Sequence, residues 1–474
     1  MSTPPVVPPT WDDPMIEGGS HVVGGPFGRL ARSSRRWWTP ARVLIMLAGV
    51  AYLLALIHNY PCISNGWASP DRYEHMCYSD IPPLFSIRDF TDGAFPYLNA
   101  LPNGEYLEYP VLTGMFMWIA SLITVWITSL SPQIGSAQTF FAVNTILLLP
   151  FFIATVVATA ATVRKRPWDA AMVALAPGII LCAFINWDMI PVAFTALAMM
   201  LWARKHPLWA GILLGLAISA KFYPLILLGP WLLLAIRSSR LKQFCWLLLG
   251  TVASWLVVNL PFILANFDGW FYFYKFSQTR GQDFGSIWYA SNLLGLPPIL
   301  PEWLNTVATG SFLVLCVAIG VMIFATPRRP RLAQVLFLVV AAFCLTNKVY
   351  SPQYVMWLIP LAVMARPRWR DFLIWQVGEA AYFAAVWWLL AGYDGGKGLT
   401  QQWYAVFVFV HVLATAWFAA MVIRDMFNPR FDPVRTDGRV EDRDDPGGGC
   451  FDGAPDRIAM PSARPAAGRH AAQV

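Results

Sequence analysis

The acidic residues that follow the first apolar run are the strongest candidates for chemistry in this sequence. Asp80 and Glu108 lie with Arg88 in the polar stretch 59–109. A carboxylate held against an apolar surface has a raised pKa and can take a proton from a hydroxyl nucleophile. A carboxylate of this stretch is therefore a candidate general base, although a solvated loop acid would show the same sequence pattern.

Two lysines stand alone between apolar runs, in connections where cations are not expected. Lys221 opens the segment Lys-Phe-Tyr-Pro, and Lys348 belongs to the polar octet 347–354. A lysine ammonium can bind a lipid phosphate as a point charge, and it can also extend to the lipid headgroups without a binding role. A polar cluster at a break between membrane helices typically lines a site.

Two further polar segments fall on the same side of the predicted membrane. Asn186 and Asp188 lie between two apolar runs, where Asp188 could cap a helix, position an acceptor sugar or line a cavity. The connection 267–303 carries Arg280 and Tyr289 among many aromatic residues. This composition suits a surface element near a phosphate and a sugar, and an interfacial aromatic belt has it too.

Two cysteines share the polar stretch that carries Asp80. Cys62 and Cys77 would lie outside the cytoplasm, where disulfides form and persist. A bond between them would order the segment before Asp80. Spacing alone does not establish the pairing, because the distance between the two Cα atoms decides it.

The elements that must position these residues are membrane helices. Of 474 residues, hydrophobic types make up 57% and charged types 13%, whereas soluble domains have about 45–50% and about 25%. This number of charges is too small to cover the surface of a soluble protein. Most of the chain must therefore face lipid. The net charge of +7 comes from basic clusters between apolar runs, which indicate topology and not nucleic-acid binding.

The basic clusters also predict the sides of the membrane. They fall in every second connection, which predicts that those connections are cytoplasmic and that the connections carrying Asp188, Lys221 and Lys348 are extracytoplasmic. Both termini are predicted to be cytoplasmic, yet the apolar runs are odd in number. We predict about 12 spans and place the exception before Arg164. Either 110–130 does not cross fully, or a neighbouring pair of runs is divided wrongly.

The predicted fold is all-α: a polytopic transmembrane helix bundle with a long first extracytoplasmic loop. Residues 1–42 are predicted to be a disordered, basic cytoplasmic segment, and the Asp-, Arg-, Gly- and Pro-rich residues 426–474 a disordered cytoplasmic tail. Residues 43–425 form the transmembrane region. Its first outer loop is 59–109, and its second large outer loop is 267–303.

Four patches of the transmembrane region resemble one family of membrane enzymes. They are Ser79-Asp80 with Gly93-x-x-Pro96-Tyr97 and Tyr109-Pro110; Asn186-Trp187-Asp188; Ala210-Gly211 running to Lys221-x-x-Pro224; and Asn347-Lys348-Val349-Tyr350-Ser351-Pro352-Gln353-Tyr354. In their order and placement, residues 43–425 resemble the GT-C superfamily of polyprenyl-phosphate-sugar-dependent glycosyltransferases. The likeness is closest to the actinobacterial α-mannosyltransferase and arabinofuranosyltransferase branch. That family's Gly-Gln-x-Asn-like patch is replaced here by 186–188, which leaves the acceptor and the donor sugar open.

The resemblance implies a GT-C-like catalytic domain and an inverting transfer, with an aspartate of the first outer loop as general base. In this sequence that aspartate is Asp80. The resemblance places Lys221 and Lys348 near the lipid phosphate, and we assign Arg280 and Arg88 to the same group. It implies no metal or other cofactor. Further polar residues are predicted to bind substrate: Asp188, Asn186, Tyr97, Glu108, Tyr223, Tyr350, Gln353 and Tyr289.

The leading interpretation is an integral glycosyltransferase of the plasma membrane. It would move a sugar, with mannose favoured, from a polyprenyl-phosphate donor to an envelope glycan, glycolipid or protein acceptor on the extracytoplasmic face, by single displacement and without a nucleic-acid partner. One alternative is a transporter or flippase of a lipid-linked sugar, which predicts ionisable residues at the bilayer midplane; the sequence places them at outer helix ends. Another is a non-catalytic envelope-assembly scaffold, which predicts no cavity joining Asp80 to Lys221 and Lys348.

Overall fold

The computed structural model describes most of the chain between Trp38 and Ile458. The described residues are 13–16, 18–19, 38–101, 103–131, 133, 135–436 and 444–458. Within them the fold is all-α, without a β-strand, which confirms the predicted class. Most of the predicted N-terminal segment 1–42 lies outside the described residues.

The helices are numbered in chain order. They are α1 (Pro40–Asn65), α2 (Asp71–Glu74), α3 (Ile81–Ile87), α4 (Val111–Leu130), α5 (Ser136–Thr162), α6 (Ala171–Ala174), α7 (Pro177–Cys182), α8 (Met189–Ala203), α9 (Pro207–Ala220), α10 (Leu228–Arg237), α11 (Leu241–Ala265), α12 (Phe267–Thr279), α13 (Ile287–Leu293), α14 (Pro301–Ala325), α15 (Leu332–Thr346), α16 (Val355–Ala365), α17 (Trp369–Tyr393) and α18 (Gln401–Phe427). Short 3₁₀ turns connect them at Phe90–Asp92, Pro167–Ala170, Tyr223–Leu227, Pro352–Tyr354 and Pro429–Phe431.

Seven of these helices are long and apolar enough to cross a membrane. They are α1, α4, α5, α11, α14, α17 and α18. Five shorter apolar helical segments pack among them: Met189–Ala203, Pro207–Ala220, Tyr223–Arg237, Leu332–Thr346 and Pro352–Ala365. Short helices leave backbone groups to be satisfied inside the bundle, and their ends are where polar residues gather. The polytopic helical bundle is therefore confirmed.

The bundle has two chemically different ends. Helix α8 begins after Asp188 and ends before Arg204, and α9 returns to Lys221. We call the end that carries Asp188, Lys221 and the first loop, 66–110, the cavity end. The opposite end, which carries the arginine clusters, is the basic end. Because cytoplasmic connections are enriched in Lys and Arg, the basic end is the one predicted to face the cytoplasm.

Helix α4 begins and finishes at the cavity end. In its first turn, Thr113 Oγ1 donates a 2.7 Å hydrogen bond to Ala220 O at the carboxyl end of α9. Its last residue is joined by a short connection to α5, whose first turns pack on the first loop through the Phe85–Phe140 ring pair at 4.8 Å. Whether 110–130 crosses fully stays a prediction, because α4 has the length and hydropathy of a span.

The described part of the C-terminal tail is packed, in contrast to the disorder that its composition predicts. Residues 428–436 and 444–458 lie against the basic end, and Asp432 and Phe451 in them are fully buried. Phe451 packs against Trp202, with ring centroids 4.9 Å apart. Composition missed this order because acidic tail residues pair with arginines far away in the sequence. The predicted disorder of 437–443 and 459–474 lies outside the described residues.

Candidate active site

A cavity of about 1200 Å³ opens at the cavity end of the bundle. It is bounded by the first loop, the segment before α8, the Tyr223–Leu227 turn, the end of α12, the connection between α15 and α16, and parts of α14 and α17. Eight of the residues singled out from the sequence line it: Asp80, Glu108, Asn186, Lys221, Tyr223, Arg280, Lys348 and Gln353. The chain therefore brings together patches that are far apart in sequence.

The backbone around Asp80 is tied to the segment just before α8. Asp80 N donates a 2.7 Å hydrogen bond to Ile185 O, and Ser79 Oγ donates one of 2.5 Å to Phe184 O. Asp80 also occupies the N-cap position of α3, whose first turn contains proline, as helix starts favour. Its side chain makes no capping hydrogen bond there, so the carboxylate is available to the cavity.

The carboxylate of Asp80 is oriented by a neighbouring tyrosine. Tyr78 Oη donates a 2.8 Å hydrogen bond to Asp80 Oδ1. Burial raises the pKa of Asp80 to about 6, although the bond from Tyr78 and the charges of Lys221 and Arg280 lower it. A carboxylate with a pKa near neutrality is better matched to accepting a proton from a hydroxyl than an ordinary solvated acid is.

A disulfide closes the chain before Asp80. The structure bonds Cys62, near the end of α1, to Cys77, and their Cα atoms are 5.9 Å apart. Both cysteines are buried. The bridge thus joins the long first helix to the segment that carries Tyr78 and Asp80.

Lys221 and Asp188 form a buried ion pair beside the cavity. Lys221 Nζ lies 2.7 Å from Asp188 Oδ1, and the two side chains are 18% and 1% exposed. Asp188 stands at the N-cap position of α8 but makes no side-chain cap, and its Oδ2 has no hydrogen-bond partner among the described residues. Asp188 thus neither caps the helix with its side chain nor lines the cavity. It lies behind Lys221 and pairs with it.

Arg280 is the most open of the four predicted phosphate-binding cations. Its side chain lines the cavity, is 42% exposed, and lies 3.3 Å from Asp283. Asp283 in turn accepts a 2.7 Å hydrogen bond from Ser351 Oγ and donates its backbone N–H to Lys348 O. The end of α12 and the polar octet 347–354 therefore meet at this wall of the cavity.

Lys348 contacts backbone and not open space. It is 6% exposed, and its Nζ donates to the carbonyl oxygens of Gln278 and Arg280. Burial and the nearby charge of Arg280 lower the pKa of Lys348. Although Lys348 lines the cavity, these contacts indicate that it holds the segment that presents Arg280.

Arg88 does not line the cavity, in contrast to its predicted phosphate contact. It lies 2.6 Å from Glu108 and 3.9 Å from Glu105. Glu108 does reach the cavity wall, and its charge is neutralised from behind by Arg88. The sequence could not predict this pair, because the two residues are brought together by the fold of the loop.

Three of the predicted substrate-binding tyrosines also lie away from the cavity lining. The Tyr97 hydroxyl donates to the carbonyl oxygens of Tyr109 and Pro110, both at 2.9 Å, so Tyr97 supports the loop. Tyr350 is 1% exposed and its hydroxyl lies 3.2 Å from Thr415 Oγ1, inside the bundle. Tyr289 pairs its hydroxyl with that of Tyr393 at 3.3 Å.

Sequence reasoning missed several residues of the cavity wall. Tyr78 stands two positions before Asp80, and Asp283 lies close to Arg280 in the second large loop. Trp357, which was not predicted either, stacks beside Lys221 on Tyr354 of the predicted polar octet, with ring centroids 3.7 Å apart. Their signal was proximity in sequence to the predicted residues, but aromatic residues at membrane interfaces are too common to be singled out.

A buried pair within the membrane helices was also overlooked. His411 Nδ1 lies 3.4 Å from Glu379 Oε2, in the middle of α18 and α17. Glu379 Oε1 accepts hydrogen bonds from Thr415 and Trp375, and neither ionisable residue lines the cavity. The expectation that ionisable residues stand at outer helix ends is therefore wrong for this pair, although its contacts enclose it within the bundle.

The cavity bears on the scaffold alternative, which predicted no such space. One cavity joins Asp80, Lys221 and Lys348. Among the described residues, no group of three or more His, Cys, Asp or Glu side chains could hold a metal ion. Independence from a metal or other cofactor remains a prediction.

Comparison with known proteins points to one family. The profile of glycosyltransferase family 87 matches residues 106–346, just over half of the chain. The matched region includes Glu108, Lys221 and Arg280, whereas Asp80 lies before it. No curated protein matches the chain. Among solved structures, ArnT from Cupriavidus metallidurans bound to undecaprenyl phosphate is similar, with 14% identity, a TM-score of 0.44, and coverage of 84% of this chain and 79% of that one.

Proposed function

Because the chain belongs to glycosyltransferase family 87, we propose that it moves a sugar, with mannose favoured, from a polyprenyl-phosphate donor to an acceptor outside the cytoplasm. The acceptor is an envelope glycan, glycolipid or protein. The cavity end faces the extracytoplasmic side of the plasma membrane, and both termini are cytoplasmic. The distribution of arginine clusters supports this orientation, since they gather at the opposite end.

Asp80 is the general base in this proposal. It removes the proton from an acceptor hydroxyl as that oxygen forms a bond to the anomeric carbon of the donor sugar. The bond from that carbon to the phosphate oxygen breaks in the same step, and polyprenyl phosphate leaves with the electron pair. The observation that carries the proposal is the placement of Asp80 on the cavity wall with its pKa raised by burial to about 6.

Arg280 and Lys221 stabilise the departing phosphate. Both line the same cavity as Asp80, and both charges act on the Asp80 carboxylate. A preorganised cation is most effective where negative charge develops in the transition state. Lys221 lies 2.7 Å from Asp188 and is 18% exposed, whereas Arg280 lies 3.3 Å from Asp283 and is 42% exposed. Arg280 therefore carries the larger part of this role.

Lys348 and Arg88 act by holding other residues of the cavity wall. Lys348 fixes the carbonyl oxygens of Gln278 and Arg280, and so sets the position of the Arg280 side chain. Arg88 holds Glu108, which can then accept a hydrogen bond from a sugar hydroxyl at the cavity surface. Asn186, Tyr223 and Gln353 supply further polar contacts to the substrates.

Transfer of label from defined carriers tests the proposal. Wild-type protein in nanodiscs is supplied with radiolabelled polyprenyl-phosphate mannose or, in a parallel reaction, with the corresponding arabinose carrier. A crude envelope glycolipid extract serves as the acceptor in both reactions. We expect label to move from one carrier to a new product, and Asp80→Ala to abolish the transfer while the protein remains folded. Donor binding without turnover in any extract would favour the flippase, and full activity of Asp80→Asn would refute Asp80 as the base.

A further inference from the structure

Three aromatic rings stand together beside Asp80 on the cavity wall. Tyr73 comes from α2, Tyr78 from the first loop and Trp387 from α17. The Tyr78 ring centroid is 5.6 Å from that of Tyr73 and 4.9 Å from that of Trp387, with interplanar angles of 15° and 31°. The proposed chemistry uses Tyr78 only through its hydroxyl, so these ring faces have no role in it.

The distances show how the rings are arranged. Tyr73 and Trp387 are 6.2 Å apart and nearly parallel, at 17°. If Tyr78 lay between them, they would be much farther apart. Tyr78 therefore does not lie between them but packs beside both, and all three side chains line the cavity. Of the three side chains, Tyr78 is the half-buried one, whereas Tyr73 is 9% and Trp387 4% exposed.

Contacts between the first loop and the loop after α17 hold this arrangement. The Arg72 guanidinium lies 4.7 Å from the Tyr73 ring centroid, 5.9 Å from the Tyr78 ring centroid and 3.6 Å from Asp394. Glu74 Oε1 accepts a 2.8 Å hydrogen bond from the backbone N–H of Lys397. A stacked aromatic group supported from two elements presents a rigid apolar face, which loses little conformational entropy when a ligand packs on it.

We propose that the part of the Tyr78 ring that lines the cavity, supported by Tyr73 and Trp387, is the subsite that binds the acceptor sugar. A pyranose ring has an apolar face of C–H groups and polar hydroxyls at its rim, so it packs on an aromatic face while its hydroxyls stay polar. The inference rests on the proposed function, since it assigns the acceptor of that reaction.

The Tyr78 hydroxyl connects this subsite to the reaction. Because Tyr78 Oη donates to Asp80 Oδ1 at 2.8 Å, a sugar on the ring has a rim hydroxyl near the carboxylate. The cations lie elsewhere on the wall, with Arg280 and Lys221 beside Tyr354 and Trp357. The donor phosphate and the acceptor sugar thus have separate places, with Asp80 between them.

Two substitutions at position 78 separate the ring face from the hydroxyl. The assay measures transfer from polyprenyl-phosphate mannose to octyl α-D-mannopyranoside in nanodiscs. Tyr78→Leu removes both features, and we expect the acceptor KM to rise about tenfold. Tyr78→Phe keeps the ring, so the acceptor KM stays within about twofold. In Tyr78→Phe the acid limb of the pH profile of kcat/KM moves to higher pH, because the hydrogen bond that lowers the Asp80 pKa is lost.

The same tyrosine-to-leucine change on the cation wall is the matched control. Tyr354→Leu is expected to change the donor KM and leave the acceptor KM within about twofold. Trp387→Leu, made with Trp387→Phe in case the larger cavity unfolds the protein, should raise the acceptor KM less than Tyr78→Leu does. The assignment is overturned if Tyr78→Leu has the same acceptor KM as wild type. It is also overturned if the acceptor KM rises in Tyr354→Leu and not in Tyr78→Leu.

Binding without turnover distinguishes failure of the subsite from failure of the proposed function. Saturation-transfer difference NMR with methyl α-D-mannopyranoside is recorded on wild type, Tyr78→Phe and Tyr78→Leu. We expect signals from the sugar C–H protons in the first two proteins and their loss in Tyr78→Leu. No signal in wild type, or equal signals in all three, refutes the subsite. Absence of transfer with this binding pattern refutes the proposed donor reaction alone.

Discussion

The two ends of the bundle use the same kinds of charged side chain in opposite ways. At the basic end, Arg331 and Arg237 are 1% and 0% exposed, and each is held by both oxygens of a tail aspartate. At the cavity end, Arg280 is 42% exposed and Asp80 faces a large cavity. The difference teaches that composition does not separate structural from chemical charges. The two kinds of charge differ in their hydrogen bonds: a structural charge makes all of them to the protein, whereas a chemical charge keeps some free for a substrate.

The sharpest way to break the comparison is to remove a charge at the basic end. Asp432 accepts bonds of 2.7 and 2.9 Å from Arg331, and both side chains are buried. Asp432→Asn leaves a buried guanidinium without its counter-charge, so we expect the free energy of unfolding to fall by about 3–5 kcal/mol. Thermal unfolding in detergent measures the loss.

A second tail aspartate provides the control for that experiment. Asp452 is exposed, and Asp452→Asn should change stability by less than about 0.5 kcal/mol. A similar Tm for Asp432→Asn and wild type would show that the tail does not stabilise the bundle, and the two ends would then not differ as described.

Arg280→Gln sharpens the comparison from the cavity end. It removes an open cation that faces the departing phosphate, so kcat/KM for the donor should fall about 10²-fold. Arg280→Lys keeps the charge but loses the planar guanidinium, so it should retain more of the wild-type kcat/KM than Arg280→Gln does. Lys275→Gln is the control, since Lys275 is an exposed cation on α12 that does not line the cavity. Equal losses in Arg280→Gln and Lys275→Gln would indicate a general surface effect.

The pH dependence of transfer probes Asp80 within its surroundings. The groups that face it are Tyr78, Lys221, Arg280 and Asp188, and burial raises its pKa to about 6. The base must be deprotonated, so kcat/KM should be level above that pH and fall about tenfold per unit below it. A profile that stays flat down to pH 4.5 would contradict a carboxylate base with this pKa.

The smallest effect is expected from Lys348→Met. Lys348 acts through the carbonyl oxygens of Gln278 and Arg280, so its loss should raise the donor KM about fivefold without changing the acid limb of the pH profile. In the Arg280→Gln background the same substitution should have almost no further effect, because both changes remove one function. Additive losses would instead give Lys348 a phosphate contact of its own.

Much of the cavity end could be predicted from the sequence. Cations on the wrong side for topology are rare, so Lys221 and Lys348 stood out. The polar stretch after the first helix supplied candidate carboxylates, from which the family resemblance selected Asp80. The direction of each side chain could not be predicted, because it depends on partners distant in sequence. Lys348 turns to backbone carbonyls and Tyr97 to the carbonyls of its own loop.

The basic end shows the opposite balance between sequence and structure. Its arginine clusters predicted the orientation of the bundle but not what they bind. The tail composition is typical of disorder, yet Asp432 and Asp456 pair with arginines of other helices. Charge complementarity between segments far apart in the chain is not visible in either segment alone. The pair Glu379 and His411 was missed for the same reason.

The most direct test compares one aspartate from each end in two measurements. Asp80→Asn and Asp432→Asn are each assayed for label transfer from polyprenyl-phosphate mannose per folded molecule, and for Tm. We predict that Asp80→Asn loses transfer about 10²–10⁴-fold with little change in Tm, and that Asp432→Asn loses Tm but keeps transfer in the molecules that remain folded. Transfer retained by Asp80→Asn, or abolished in folded Asp432→Asn, would contradict the division of the bundle into a chemical and a structural end.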